Sequence, residues 1–252
     1  MEETQEFLAK RLVDLANQSY RNNIYTFTGF LSPGEQDVFW QSRSKLGDIA
    51  YTFFGGIEGA ERQMLRFGSE ESLGYEEEFP LCCIEMRPAA PKFADKLTHR
   101  DFLGALMNLG IERTTLGDIF LADNTGYVFC HSKVADYILS GIDKVRHTTV
   151  KCKLLEEVPQ VLWPTLKKEQ IIVSSLRLDG IVSKLFHLSR SQSLILFREK
   201  KVFVNGRCME NNSGSCKEGD VISVRGYGKF VYAGQIHETK KGNISIAIER
   251  YV

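Results

Sequence analysis

The spacing of apolar positions changes character along the chain and divides it into three stretches. Phe7, Leu8, Leu12, Leu15 and Ala16 recur at helical intervals between Glu3 and Tyr20, which predicts an opening amphipathic helix. Ile24–Phe30 reads as extended. Ser32-Pro33-Gly34-Glu35 then spells a helix start, with a capping serine, proline in the first turn and glutamate three residues on. That helix is expected to run to about Leu46. Extended Ile49–Phe54, the pair Gly55-Gly56 and a further helix around Ala60-Glu61-Arg62, ending near Gly68, complete an α/β region over residues 1–75. Residues 69–78 hold five glutamates and a glycine and read as an exposed linker.

Between 79 and 157 short β-type runs alternate with helical ones. Leu81–Met86 predicts a strand and Thr98–Leu109 a helix. Ile119–Ala122 and Tyr127–His131 predict two strands joined by Asp123-Asn124-Thr125-Gly126. Ser132–Leu139 predicts a helix and Thr148–Leu155 a last strand. Strand, helix, strand, strand, helix, strand is the split βαβ plan of ferredoxin-like and RRM domains. Pro159 and Pro164 mark a second linker.

The third stretch, 174–252, opens on Leu178, Ile181, Val182, Leu185 and Phe186, one apolar stripe of a short helix begun by a serine. Arg177 and Lys184, seven residues apart, project from its other side. Ser189 with Gln192 forms a second capping box, which puts Arg190 in the first turn of another helix. Free amides and the positive dipole end at such a terminus favour a phosphate. Val202–Val204, the turn pair Asn205-Gly206, Val221–Val224, Phe230–His237 and Ile244–Ile248 predict a small sheet. Two short helices on a twisted sheet follow, and the whole chain is α+β in three parts.

Charge sharpens this picture. The 252 residues carry 32 basic and 32 acidic side chains, yet residues 170–252 hold 13 Lys/Arg against seven Asp/Glu, and residues 1–169 hold 19 against 25. The excess of cations sits in the last third, as expected for a part that meets a polyanion. Lys200, Lys201, Arg207, Arg225 and Lys229 join Arg177, Lys184 and Arg190 as candidates to border one surface, where Ser189, Gln192 and Asn205 add polar contacts. Tyr227 is available to stack or to hydrogen-bond a ribose. A solvated basic face on a small α+β domain is the competing reading, and charge and periodicity alone leave the two level.

Other signals point away from catalysis and metals. His99-Arg100-Asp101 resembles a kinase catalytic loop, but Leu106 stands where that loop needs asparagine, and no glycine-rich phosphate loop accompanies it. Gly55-Gly56 with Arg62 lacks P-loop spacing and reads as a tight turn, with a partner-facing Arg62 as the alternative. Tyr127 and Phe129 alternate like the stacking aromatics of an RRM, yet Val128 replaces a small residue, and both are expected in a core. His187 reads as a packing histidine. Five scattered histidines and six cysteines without a C-x-x-C pair give no metal spacing, and the cysteines read as reduced thiols. The acidic start is unlike a signal peptide, and no run of about 18 apolar residues occurs, so a cytoplasmic protein without membrane span is expected.

The order Arg177-Leu178-Asp179, Phe186-His187-Leu188-Ser189-Arg190-Ser191-Gln192, Val202-Phe203-Val204-Asn205-Gly206 and Gly219-Asp220-Val221-Ile222 resembles the RNA-binding module of small-subunit ribosomal protein four, the alpha-L motif. Arg225-Gly226-Tyr227-Gly228-Lys229-Phe230 resembles an ending typical of the YlmH family. So do Phe54-Gly55-Gly56-Ile57-Glu58-Gly59-Ala60-Glu61-Arg62, the block from His99 to Arg113, and Gly117-Asp118-Ile119, so that the likeness spans nearly the whole chain. It implies a non-catalytic protein that needs no cofactor and binds ribosomal RNA and peptidyl-tRNA on the large ribosomal subunit, in quality control of stalled nascent chains. It implies no DNA partner, and it makes Arg177, Ser189 and Arg190 the closest matches to RNA contacts. The chain departs from compact relatives at Leu194-Ile195-Leu196-Phe197, where they carry more basic residues. An RNA-modifying enzyme targeted by the module, such as a pseudouridine synthase, and a cell-division scaffold remain the alternatives.

Overall fold

The structure is a computed structural model that describes residues 2–239 and 242–252, with side-chain surroundings from residue 4 onward. The fold is α+β, in two compact units, Met1–Trp163 and Pro164–Val252. No helix among the described residues is long and apolar enough to cross a membrane.

The first unit begins with α1 (Glu2–Asn22), β1 (Thr26–Phe27), α2 (Pro33–Ser42), β2 (Tyr51–Phe54), β3 (Met64–Phe67) and the single turn α3 (Glu70–Leu73). The capping box forms as the sequence predicts: the Ser32 amide donates to the Glu35 carboxylate at 2.6 Å, and Pro33 opens α2. Residues 60–68 depart from expectation. Instead of a helix they form a loop followed by β3, the middle strand of an antiparallel sheet ordered β1-β3-β2. Met64, Leu65 and Phe67 are fully buried, and a strand covered on both faces loses the alternation that would have marked it. Leu12, Leu15 and Ala16 of α1 and Val38 and Phe39 of α2 pack on Leu65 and Phe67.

The same unit continues with β4 (Leu81–Pro88), α4 (His99–Asn108), β5 (Leu116–Ala122), β6 (Thr125–His131), α5 (Ala135–Gly141), β7 (Lys144–Val145) and β8 (Thr148–Leu155). The antiparallel sheet runs β5-β6-β4-β8-β7, the strand order of the split βαβ plan. Alternation decides what each face meets. Ile84, Met86, Val128 and Cys130 point to the helices and share a core with Phe102, Leu106 and Ile138. Asp123 and Asn124 turn the β5–β6 hairpin with φ of 47° and 60°. At Gly126 a Cβ would lie 2.5 Å from the Phe102 ring, so the helix rests on bare backbone there.

The opposite face, with Cys83, Tyr127 and Phe129, is capped over part of its width by Phe30, Ile57, Ala60, Met64 and Leu162. Gly56 (φ 101°) lies against the Phe129 ring so closely that a Cβ would fall 2.1 Å from it. Arg62 locks the contact: its guanidinium donates to the carbonyls of Phe30 (2.9 Å), Arg113 (3.1 Å) and Leu116 (2.9 Å), while the Asp118 carboxylate accepts from the Glu61 amide at 2.6 Å. Burial lowers the pKa of Arg62, and that of the neighbouring Arg113 to about 10. The regions on either side of residues 69–78 thus share a core.

The second unit holds β9 (Leu166–Val173), α6 (Leu178–Leu185), α7 (Arg190–Arg198), β10 (Val202–Val204), β11 (Arg207–Cys208), β12 (Val221–Val224), β13 (Gly228–Glu238) and β14 (Ile244–Tyr251). Its antiparallel sheet runs β11-β10-β12-β13-β14-β9. Strand β9 falls in the stretch read as linker and pairs with β14 over eight residues. Leu178, Ile181, Val182, Leu185, Leu196 and Phe197 of the helices pack on Val202, Ile222, Val224, Phe230, Ile246 and Ile248 of the sheet.

Candidate nucleic-acid interface

Helix α6 starts one turn later than the sequence suggests, and its N-cap is Arg177 rather than a serine. The reason lies in Asp179, the second residue of the helix, which is 4% exposed. Its carboxylate accepts from Arg177 Nε (3.1 Å) and Nη2 (2.9 Å), from Asn212 Nδ2 (2.9 Å) and from the Gly180 amide (2.9 Å). Arg177, foremost, holds this carboxyl below the usual carboxylate range, and Asp179 in turn raises Arg177. The backbone NH groups of Leu178 and Asp179 donate to the carbonyls of Gly214 and Asn212, so the loop after β11 is pinned to the start of α6.

Helix α7 begins as predicted. Ser189 Oγ accepts from the Gln192 amide at 3.2 Å, and the Gln192 side chain accepts from the Ser189 amide at 2.8 Å. The side chains of Ser189 and Gln192 therefore serve the cap. Arg190 follows, exposed and in the first helical turn.

A hollow of about 450 Å3 lies where β9 ends and the two helices start, and Arg177, Lys184, His187 and Arg190 line it together with Ser175 and Ser183. Lys184, His187 and Arg190 are all exposed, and His187 sits in the left-handed region (φ 52°), so the turn between the helices turns its ring to the hollow rather than into the core. Neither Lys184 nor Arg190 has a carboxylate partner among the described residues, whereas Arg177 is committed to Asp179. Two unpaired cations beside the amide end of α7 make an anion cradle.

The remaining candidates do not join this hollow, and the single bordering surface expected from the sequence is not what forms. Lys200 pairs with Glu210 (2.8 Å) and Lys201 with Glu199 (2.7 Å). Asn205 (φ 49°) ties its turn to Asp220 and to the Val221 amide. Arg207 is exposed on the edge strand β11. Pairing of Phe203 with Ser223 and of Ser223 with Lys229 sets these side chains on the sheet face away from the helices. There Arg225 lies over Phe203 (5.9 Å) and Lys229 over Tyr251 (5.1 Å). Tyr227, half exposed in the β12–β13 turn, packs on Phe186 at 5.7 Å, and Arg250 covers the same Phe186 ring at 5.5 Å. Arg250 has no motif around it, and the sequence reading passes over it.

In the first unit, Phe129 is 1% and Tyr127 7% exposed. The stacking pair of an RRM is thus unavailable to a base, as the substitution at Val128 suggests. No group of His, Cys, Asp and Glu able to hold a metal ion occurs among the described residues.

Comparison with known proteins adds three findings. The profile of a family described as "Putative RNA-binding domain in YlmH" matches residues 75–158, the segment that contains the β5-β6-β4-β8-β7 sheet. Ribosome-associated protein quality control protein P2 of Bacillus subtilis (strain 168) is 29% identical over 248 residues, 96% of this chain and 91% of that protein. Among solved structures, cell division protein ylmH from Streptococcus pneumoniae is similar with a TM-score of 0.48 and 18% identity, over 60% of this chain and 91% of that one. Matched by that profile at its centre and aligned with the Bacillus protein almost from end to end, the chain is similar to YlmH proteins.

Proposed function

We propose that this chain is a non-catalytic, cytoplasmic RNA-binding factor of the ribosome, which uses the Lys184–Arg190 hollow to grip the backbone of folded RNA. The observation that carries the reading is the pairing state of the cations: Arg177 is spent on Asp179, while Lys184 and Arg190, at the amide end of α7, have no carboxylate partner among the described residues. A phosphate seated there gains two charge-assisted contacts and the helix terminus together. The name of the Bacillus relative supports a place in ribosome-associated quality control. In that setting the polyanions are large-subunit ribosomal RNA and peptidyl-tRNA. The enzyme alternative finds little chemistry in this unit, because the Asp179 carboxylate has its oxygens engaged by four donors and is not presented to a substrate.

Co-sedimentation with large ribosomal subunits across a salt series tests this. Roughly five phosphate contacts give a log–log slope of about −3 to −5. Lys184→Ala with Arg190→Ala should make that slope shallower by about 1.5 and weaken binding at least tenfold. Arg177 is left intact, since its removal would also unseat Asp179. Binding that ignores salt would sink the phosphate account, and a modified nucleotide lost from ribosomal RNA on deletion would restore the enzyme.

A further inference from the structure

The helix-free face of the β5-β6-β4-β8-β7 sheet is covered over only part of its width. Cys83 and Phe129 lie under the Phe30–Ile57–Met64 cap. Further along the strands, Arg87 and Glu85 of β4 lie opposite Lys151 and Lys153 of β8, and Tyr127 of β6 lies opposite Glu85. Register and alternation put these five side chains on the same face. The Arg87 side chain is 61% exposed, and both lysines are exposed. Glu85 is the carboxylate among them, and it is engaged by Arg87 at 2.8 Å and by the Tyr127 hydroxyl at 3.4 Å. Neither Lys151 nor Lys153 has a carboxylate partner among the described residues. The strip therefore shows a net positive charge on a flat, rigid support.

Beside it opens a hollow of about 480 Å3, bordered by Arg87, Pro91, Asp123, Thr125, Tyr127 and Val161. Its volume lies within the ~300–1,000 Å3 typical of small-molecule sites. The two segments that edge it carry exposed aromatics: Phe93, 90% exposed, follows Pro91, and Trp163, 52% exposed, follows Val161. Cations in a row, a hollow with apolar walls and rings in water are what an unpaired nucleotide needs, since stacking and phosphate contacts operate together on single strands. A duplex keeps its bases stacked inside and has no use for the hollow.

We infer that this open half-sheet is a second RNA contact, in which Arg87, Lys151 and Lys153 take successive phosphates of a single-stranded segment and the hollow edged by Pro91 and Val161 takes one sugar or base. The inference rests on the RNA-binding reading, to which the profile over residues 75–158 points for this segment, and adds the face, the residues and the strandedness of the contact. It differs from RRM recognition in the residues used, because the usual stacking ring, Phe129, is inside the protein.

The full-length protein, titrated with a labelled oligouridylate across a salt series and crosslinked to the same oligomer carrying 4-thiouridine, tests it. Arg87→Ala, Lys151→Ala and Lys153→Ala together should weaken oligouridylate binding at least tenfold and make the salt slope shallower by about 2, from three contacts at about 0.7 each. The melting temperature should not move, and crosslinked peptides should come from 85–93, 120–127 and 151–163. If the unaltered protein binds with a steep salt slope while the triple variant matches it and every crosslink falls in 174–252, the second contact is wrong and the RNA-binding reading stands. If the unaltered protein binds neither oligouridylate nor large subunits, both fall. Polyglutamate that competes as well as the RNA at equal charge concentration overturns the inference in favour of an acidic protein partner.

Discussion

Gly56→Ala should lower the melting temperature of the first unit by roughly 5–15 °C, the shift that about 2–5 kcal/mol produces in a unit of this size. Two costs add up. At φ 101° a side chain strains the backbone, at about 1–2 kcal/mol by analogy with left-handed residues. The new methyl also arrives 2.1 Å from the Phe129 ring, which must shift out of a packed core, and overpacking of that kind costs about 1–3 kcal/mol. Gly47→Ala separates the two. Gly47 has φ 70° and nothing within 4 Å of its missing Cβ, so only the backbone cost remains. Calorimetry of both variants decides the matter: equal small losses would mean that the Phe129 contact yields without penalty.

Asp179→Asn should be the most damaging single change in the second unit. The carboxylate has four donors around it, and its loss removes charge-assisted bonds from Arg177, Asn212 and the Gly180 amide, each worth about 1.5–3 kcal/mol where the group is charged. Arg177, 41% exposed at its side chain, swings into water afterwards and recovers part of this. About 2–3 kcal/mol remains, or roughly 10–20 °C for a unit of this size. The pH dependence has a definite sign. Asp179 titrates lower in the folded chain than unfolded, so its contribution is complete above the unfolded pKa of about 3.9 and disappears as pH falls through the lower folded value. The two proteins should differ most at neutral pH, and the gap should narrow as pH falls below about 3.9. A gap that stays constant from pH 7 to pH 3 would show that the charge is not what matters. Lost RNA binding in this variant would follow from a displaced α6, not from a missing contact.

Local signals were legible where they are chemically complete. Ser32-Pro33-Glu35 and Ser189-Gln192 each contain both halves of a capping box, and both boxes form. The strands of the central sheet show because each turns one apolar face to α4 and α5. Strand β3 is not legible in the sequence, since Met64, Leu65 and Phe67 fit a helix stripe as well as a buried strand, and only the neighbours β1 and β2 decide between them. Strand β9 is hidden for the opposite reason. It is an edge strand whose Lys167, Lys168 and Glu169 face water, so its sequence resembles a charged linker. Among the candidate RNA contacts, Lys184 and Arg190 could be named because two helix starts place them. That Arg177 is occupied depends on Asn212, 33 residues further on, supporting Asp179 from a loop, which no spacing rule reveals. Glu199, by contrast, adjoins Lys200 and Lys201, and its partnership with Lys201 was open to a sequence reading.

The cap over Phe129 bears on how this protein can be taken apart. Residues 69–78 look like a natural place to cut, and 75–158 is the span that the family profile matches. A fragment of that span alone would turn Cys83, Phe120, Phe129 and Leu155 out into water as one continuous greasy strip, and it should self-associate. Severing the chain after Trp163 leaves that strip under its lid, so biochemistry on the front half begins with the piece that ends there.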